Sequence, residues 1–455
     1  MIRKKIRKII ENLKYEEYFF LAPILIFAGL IRVNNLFFYN QWWGDDGGAH
    51  LKYIEVIQNQ WRLPNMNDIY IAWHEPLYYI LMSIWGSLGN FIGFGGQDWM
   101  IALQILFSLL GLVFIWFLSK TIAGHKVSIA TTILSSLIFV YVKMSSYLTN
   151  ELIAQVGFIG LIFLFIKQKL FQKEKSKQIF FWAVILGCLT LVKMTLFILF
   201  LSAILLWLVR FIYEKNLTFL KYIIICIFTV MLINTPWFIH KQKTFGSAFS
   251  VNLYEQKKQS LVTSPGWNHL LSVNTKIFTS EPYWKSSPVS FWSMLISDTF
   301  SDHYNLFKNR EYQRNISPEE KKLVDNGRYS DFNLKQVVLI SNQIGLLIFI
   351  LWFIGFSGVL IKKVKNLFNK KIDWTFYFFV IIIFGGISAL VYNTLRHPYY
   401  DRGVLKSQFI FFVFPLISIL AFQWWKNQFG KIGLAIVFMP ILCYIYFALP
   451  MLLVH

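Results

Sequence analysis

Apolar positions along this chain gather in long runs instead of narrow stripes. Stretches with almost no charge lie near residues 17–33, 99–118, 127–146, 150–167, 179–193, 195–212, 219–239, 336–361, 374–392, 405–424 and 430–449. A helix needs about 20 apolar residues to cross the ~30 Å hydrocarbon core of a bilayer, and these runs reach or approach that length. Lipid offers no partner to backbone N–H and C=O groups, so each run must satisfy its own hydrogen bonds and is predicted to be an α-helix. The expected fold class is all-α integral membrane, with about eleven transmembrane helices.

Polar connectors test that count. Basic residues cluster at the N-terminus, at Lys167 to Lys177, Arg210 to Lys221, Lys362 to Lys371 and Lys426 to Lys431. The positive-inside rule assigns all five to the cytoplasmic side. A further apolar stretch from Pro76 to about Phe94 would, as a span, reverse every later basic loop. It is therefore predicted to be an amphipathic helix lying in the outer interface, ended early by Gly86, Gly89, Gly93, Gly95 and Gly96. Two outer segments result, 34–98 and a stretch of roughly 95 residues from His240 to Lys335. The chain divides into a transmembrane module over 1–239, an extracytoplasmic segment over 240–335, and C-terminal transmembrane helices over 336–455.

Composition agrees with lipid as the solvent. Of 455 residues, 56% are hydrophobic and only 15% charged, more apolar surface than one soluble core absorbs. The net charge of +21 would suggest nucleic acid in a soluble protein, but here the cations sit in loops between apolar runs, where they set topology and touch anionic headgroups. No nucleic-acid partner is needed. Cys188, Cys226 and Cys443 all fall in apolar runs, so neither a disulfide framework nor a cysteine metal site is readable. Asn34-Asn35-Leu36-Phe37 contains no small-residue cleavage site, so the first run is read as an uncleaved span.

Candidate chemistry concentrates just outside the spans. Trp42-Trp43-Gly44-Asp45-Asp46-Gly47-Gly48-Ala49-His50 places two carboxylates at the membrane surface. Like charges this close push one pKa upward, and such a carboxylate can take a proton from an attacking hydroxyl. Asp46 and His50 share a helical face if a helix starts there; equally, an Asp at this position can simply cap that helix. Trp73-His74-Glu75-Pro76-Leu77-Tyr78-Tyr79 sets a His and a carboxylate immediately before the interfacial helix. Glu75 or His74 can face the same cavity as the Asp pair, with a divalent cation among them, or form the polar edge of an interfacial belt. At the predicted outer ends of spans lie Glu151, Lys193, His240 with Lys241, Arg396, Arg402 and Lys406. Lys193 interrupts one long apolar region and is the hardest of these to explain by snorkelling. Cations beside an acidic pair suit a lipid-linked phosphate and a hydroxyl nucleophile.

These residues resemble the GT-C membrane glycosyltransferases, which include protein O-mannosyltransferases and lipid A aminoarabinose transferases. Gly44-Asp45-Asp46 with His50 looks like that family's acidic pair after the first span, and His74-Glu75-Pro76-Leu77-Tyr78-Tyr79 is similar to its HPPLYY-like segment, with Glu replacing the first Pro. Thr149-Asn150-Glu151 resembles the second acidic outer loop, and Leu191-Val192-Lys193-Met194-Thr195 the family's Lys-Thr break. Pro236-Trp237-Phe238-Ile239-His240 and Lys406-Ser407-Gln408-Phe409 resemble the segments after the seventh span and before a late aromatic helix.

The resemblance implies a GT-C fold, a polyprenyl-phosphate-linked sugar donor, inversion at the sugar carbon, and a lipid, glycan or protein acceptor at the extracytoplasmic face of a plasma membrane. By position it makes Asp45 or Asp46 the catalytic base. Lys193, Arg402 and Lys406 would hold the donor phosphate, and Glu75 and Glu151 would line the cavity. The contrasting class is a transporter or flippase of a lipid-linked saccharide, whose expected marks are internal repeats and mid-membrane charges. The chain shows no repeat, and its charges gather at the outer face. A structural envelope protein without catalysis would leave the acidic pair unexplained.

Overall fold

The computed structural model describes residues 15–39, 46–172, 174–248, 268–283, 290–303, 331–368, 372–396 and 406–453, with backbone alone at 15–18, 268–269, 331–334, 368 and 396. Every regular element among them is helical. In chain order these are α1 (Tyr15–Phe38), α2 (Gly47–Gln60), α3 (Leu77–Phe91), α4 (Gly96–Ala123), α5 (His125–Leu137), α6 (Phe139–Met144), α7 (Asn150–Lys167) and α8 (Ser176–Thr190). There follow α9 (Phe197–Glu214), α10 (Leu217–Phe245), the short α11 (Asn268–Leu271) and α12 (Lys276–Thr279), α13 (Phe291–Phe300), α14 (Asp331–Phe368), α15 (Trp374–Arg396) and α16 (Val413–Leu452).

Eight of the helices are long and apolar enough to cross a membrane. They carry large apolar side chains outward, Phe19, Ile26, Phe228, Phe353 and Met439 among them, as a surface dissolved in lipid requires. The remaining predicted spans are also helical. Residues 127–146 form α5 and α6, broken at Ile138, and α8 is an apolar helix of 15 residues. The last two predicted spans are one continuous element, α16, interrupted at Gly430, whose φ of 57° and ψ of −123° no helix contains. The chain doubles back there. Ser407, just before α16, and Met451, near its end, both contact the segment 298–302, so the two halves of α16 lie antiparallel. The described fold is thus all-α and polytopic.

Two departures from the predicted spans have local causes. The break at Ile138 frees the Phe139 N–H, which donates to the Tyr444 hydroxyl at 3.3 Å. The run expected from 405 begins as a 3-10 turn, Ser407–Ile410, because backbone groups there are taken by side chains from elsewhere: Asp298 accepts from the Ser407 N–H and Gln155 from the Phe412 N–H. The segment expected to lie in the interface is α3, only 15 residues long, which packs on α2 and α4 and ends before a positive-φ turn at Gly93.

Small residues let the helices approach. A Cβ on Gly111 of α4 would sit 2.2 Å from the Tyr141 hydroxyl oxygen, and that hydroxyl donates to the Ser108 carbonyl at 2.7 Å. The bundle is polarised. At one end Lys175 meets Tyr222 and Arg210 lies over Trp374; elsewhere α2 packs on α3, and α13 meets α6 and the turn before α16.

Candidate active site

The site begins where α2 does. Asp46 adopts a left-handed conformation, φ 57° and ψ 11°, and its carbonyl accepts from the His50 N–H at 2.9 Å. An αL conformation costs an L-residue roughly 1–2 kcal/mol, though Asp tolerates it better than most. Its carboxylate makes no capping bond to the helix. It accepts instead from the Tyr70 hydroxyl at 2.5 Å. Asp46 therefore occupies the cap position without the cap's hydrogen bond, and its carboxylate is left for other work. Desolvation pushes that carboxyl up, but Lys406, the Tyr70 hydroxyl and Lys193 outweigh it and hold the pKa below the ordinary 3.8. The expected upward shift from a neighbouring carboxylate does not prevail at Asp46; nearby cations decide its charge. An open cavity of about 640 Å³ adjoins it, lined also by Gly47, Gly48, Lys52, Asn67 and Tyr70.

His50 and His74 converge on one hydroxyl. The Nδ1 atoms of His50 and His74 lie 2.8 and 3.0 Å from the Tyr79 oxygen. Tyr79 donates to one imidazole and accepts from the other, and its ring stacks on Tyr53 at 3.7 Å. Burial pushes the His50 pKa down to about 3 and His74 well below its usual value, so both are neutral. Each such histidine favours the folded state above pH 6.5 and loses that contribution as pH falls, because only the unfolded chain takes up the proton. Burial raises the Glu75 pKa, which works in the opposite sense. His50→Gln is therefore expected to flatten the fall in thermal midpoint between about pH 6.5 and 4.5, as measured by unfolding scans in lipid.

Glu75 docks against a second wall. It stands 3.7 Å from the Lys241 ammonium of α10, which also lies over Trp237. The Leu77 N–H donates to the Leu191 carbonyl at 2.9 Å. These contacts sew the start of α3 to the break between α8 and α9. At that break Lys193 is extended, φ −162°, and its ammonium reaches across to α7. There Thr149 caps the helix, accepting from the Glu151 N–H, while Glu151 pairs with Lys193 and Asn150 accepts from the same ammonium at 3.3 Å. Lys193 also lies 5.4 Å above the Phe409 ring, in the turn that follows Lys406.

One end of the bundle thus brings together Asp46, His50, His74, Glu75, Glu151, Lys193 and Lys406 from five separate stretches of chain. His240 does not join them: it stacks on Trp237 at 5.1 Å, and the next residue, Lys241, reaches Glu75. Asp45 and Arg402 lie outside the described residues, and of Arg396 only the backbone at the end of α15 is described. Sequence reasoning missed Tyr70 and did not single out Tyr79, although Tyr79 stood in the motif already noted. It also missed Lys143 and Asp298, both buried. An ionisable residue inside an apolar run was the available signal for Lys143. Among the described residues no three His, Cys, Asp or Glu side chains gather as a metal site would require, and Glu151 is committed to Lys193.

No protein-family model and no curated protein matches the chain. Solved structures do. The oligosaccharyltransferase of Archaeoglobus fulgidus in its apo form superposes over 96% of this chain with a TM-score of 0.55 and 12% identity. The chain has the GT-C fold. The same archaeal enzyme, AglB, in complex with an inhibitory peptide and a dolichol-phosphate aligns over 96% of this chain at TM-score 0.53 and 13% identity. Its complex with Zn and sulfate aligns over 94% at TM-score 0.51 and 13% identity. This GT-C chain spans just over half the length of those proteins, 56% of the apo structure.

Proposed function

We propose that this protein is a glycosyltransferase that moves a sugar from a polyprenyl-phosphate carrier to an acceptor hydroxyl, with inversion, at the extracytoplasmic face of a plasma membrane. The observation that carries the reading is the Asp46 carboxylate, which makes no bond to its own helix and lies within the field of Lys406 and Lys193 on a GT-C scaffold. The AglB complex with dolichol-phosphate supports a lipid-phosphate donor, and the structure tethered with an acceptor peptide makes peptide one acceptor class to test.

In the proposed reaction the acceptor oxygen attacks the anomeric carbon as the bond from that carbon to the phosphate oxygen breaks. The acceptor proton passes to the Asp46 carboxylate, and polyprenyl phosphate leaves with the electron pair. Lys406 and Lys193 stabilise the charge growing on that phosphate. The Tyr70 hydroxyl orients the Asp46 carboxylate. The acceptor enters from the open cavity beside Asp46, while the donor's prenyl chain stays among the helices in lipid. A low pKa makes Asp46 a weak base, so proton transfer follows well-advanced bond formation, when the acceptor oxygen has become acidic.

The test is turnover by purified protein in lipid, with radiolabelled polyprenyl-phosphate sugars as donors, peptide, glycan and lipid acceptors, and a chelator arm. Consumption of one donor with release of polyprenyl phosphate is expected, and the chelator arm reads whether a divalent cation takes part. Movement of labelled lipid across the bilayer without donor consumption would establish the flippase reading instead.

A further inference from the structure

A buried ion pair lies outside the cluster described above. Lys143, in α6, is fully enclosed and its ammonium stands 3.1 Å from Asp298 Oδ1 in α13. Enclosing two charges is costly, and a pair of this kind often adds nothing to stability over an apolar replacement. Its position says what else it does. The second carboxylate oxygen, Oδ2, accepts from both the Ser407 N–H and the Ser407 hydroxyl, each at 2.7 Å. Ser407 follows Lys406 directly and opens the 3-10 turn. The same turn is held from its other side: Tyr147 donates to Gln408 at 3.1 Å, and Gln155 donates to the Phe409 carbonyl at 3.1 Å.

We propose that Asp298 is a positioning residue, which, locked by Lys143, fixes Ser407 and thereby places the Lys406 ammonium beside Asp46. The inference rests on the glycosyl-transfer reading for its catalytic consequence, and on geometry alone for the anchor. Lys406 sits on extended backbone, φ −112° and ψ 119°, at the mouth of a four-residue turn whose Phe409 N–H donates to its carbonyl at 3.2 Å, so where the turn is anchored sets where Lys406 stands. A carboxylate with one oxygen on a buried cation and the other on two donors cannot rotate without breaking three bonds. This makes the outer segment containing α13 part of the site's frame.

Removing Asp298 alone would strand Lys143, so the test uses charge-neutral pairs in full-length protein in lipid. Lys143→Met/Asp298→Ala is expected to lower donor turnover roughly 100-fold, the scale of an ångström misplacement of a catalytic group. Lys143→Met/Asp298→Asn keeps an acceptor for Ser407 and is expected to recover most of that loss. Adding Lys406→Ala to the alanine pair should cost little further, since both changes remove the same placed charge. Additive losses, or no difference between the alanine and asparagine pairs, would overturn the proposal. Hydrogen exchange over residues 406–412 decides the anchor independently: faster exchange in the alanine pair than in the asparagine pair supports it, and equal protection refutes it. Wild-type protein that consumes no donor would defeat the glycosyl-transfer reading and leave that exchange comparison to decide the anchor.

Discussion

Asp46→Asn is expected to reduce sugar transfer by about 10²–10⁴-fold, the range for loss of a general base. Asn is isosteric and still accepts from the Tyr70 hydroxyl, so the local fold at the start of α2 should survive and the thermal midpoint should change little. What disappears is a negative charge facing Lys406 and Lys193 and the site that receives the acceptor proton. Single-turnover transfer with saturating donor, beside a donor-binding measurement, separates the two effects: turnover collapses while donor binding is retained. Asp45→Asn run in parallel identifies which of the two adjacent carboxylates is the base, and normal turnover in both variants would remove the catalytic assignment. The pH profile supplies a further check. The cations hold the Asp46 pKa below 3.8, so kcat/KM should stay level as pH falls through the usual carboxylate range, its acid limb lying below that value.

Lys193→Met is the second large effect, and it appears in stability as well as activity. Lys193 is the ion-pair partner of Glu151, whose side chain is 2% exposed. Removing one member of a buried pair leaves a charge without compensation and costs about 3–5 kcal/mol. Unfolding scans in lipid should show that loss, and Glu151→Gln/Lys193→Met should recover most of it, because the pair's net worth is small once both charges are gone. Transfer activity should not recover in the double variant, since the cation assigned to the donor phosphate is still missing. Restored activity there would mean that Lys193 serves only to neutralise Glu151.

The contrast between Lys193 and His240 shows how far sequence reasoning reaches. Both are ionisable groups at the predicted outer end of an apolar run, and by sequence they are equivalent. Lys193 occupies a break that turns its side chain across to Glu151, whereas His240 continues a regular helix and stacks on Trp237. Helical phase selects Lys241 in its place to meet Glu75. Asp46 offers a similar lesson. Sequence preference allowed an ordinary helix cap, and only the backbone geometry shows the cap position filled without a capping bond.

By itself, the sequence determined the solvent and therefore the class of fold. Apolar runs of spanning length admit only helices in lipid, the charge parity of the connectors set the segment that forms the short helix α3 apart from the spans, and short local motifs marked where polar chemistry clusters. These features are local or additive along the chain, so one dimension suffices to read them. The tertiary structure alone decided which charges meet. Glu151 with Lys193, Glu75 with Lys241 and Lys143 with Asp298 are separated in sequence by 42, 166 and 155 residues, and the side chains come together only through helix packing and helix breaks. Coulomb energy and desolvation depend on distance and burial, which packing sets and residue order does not.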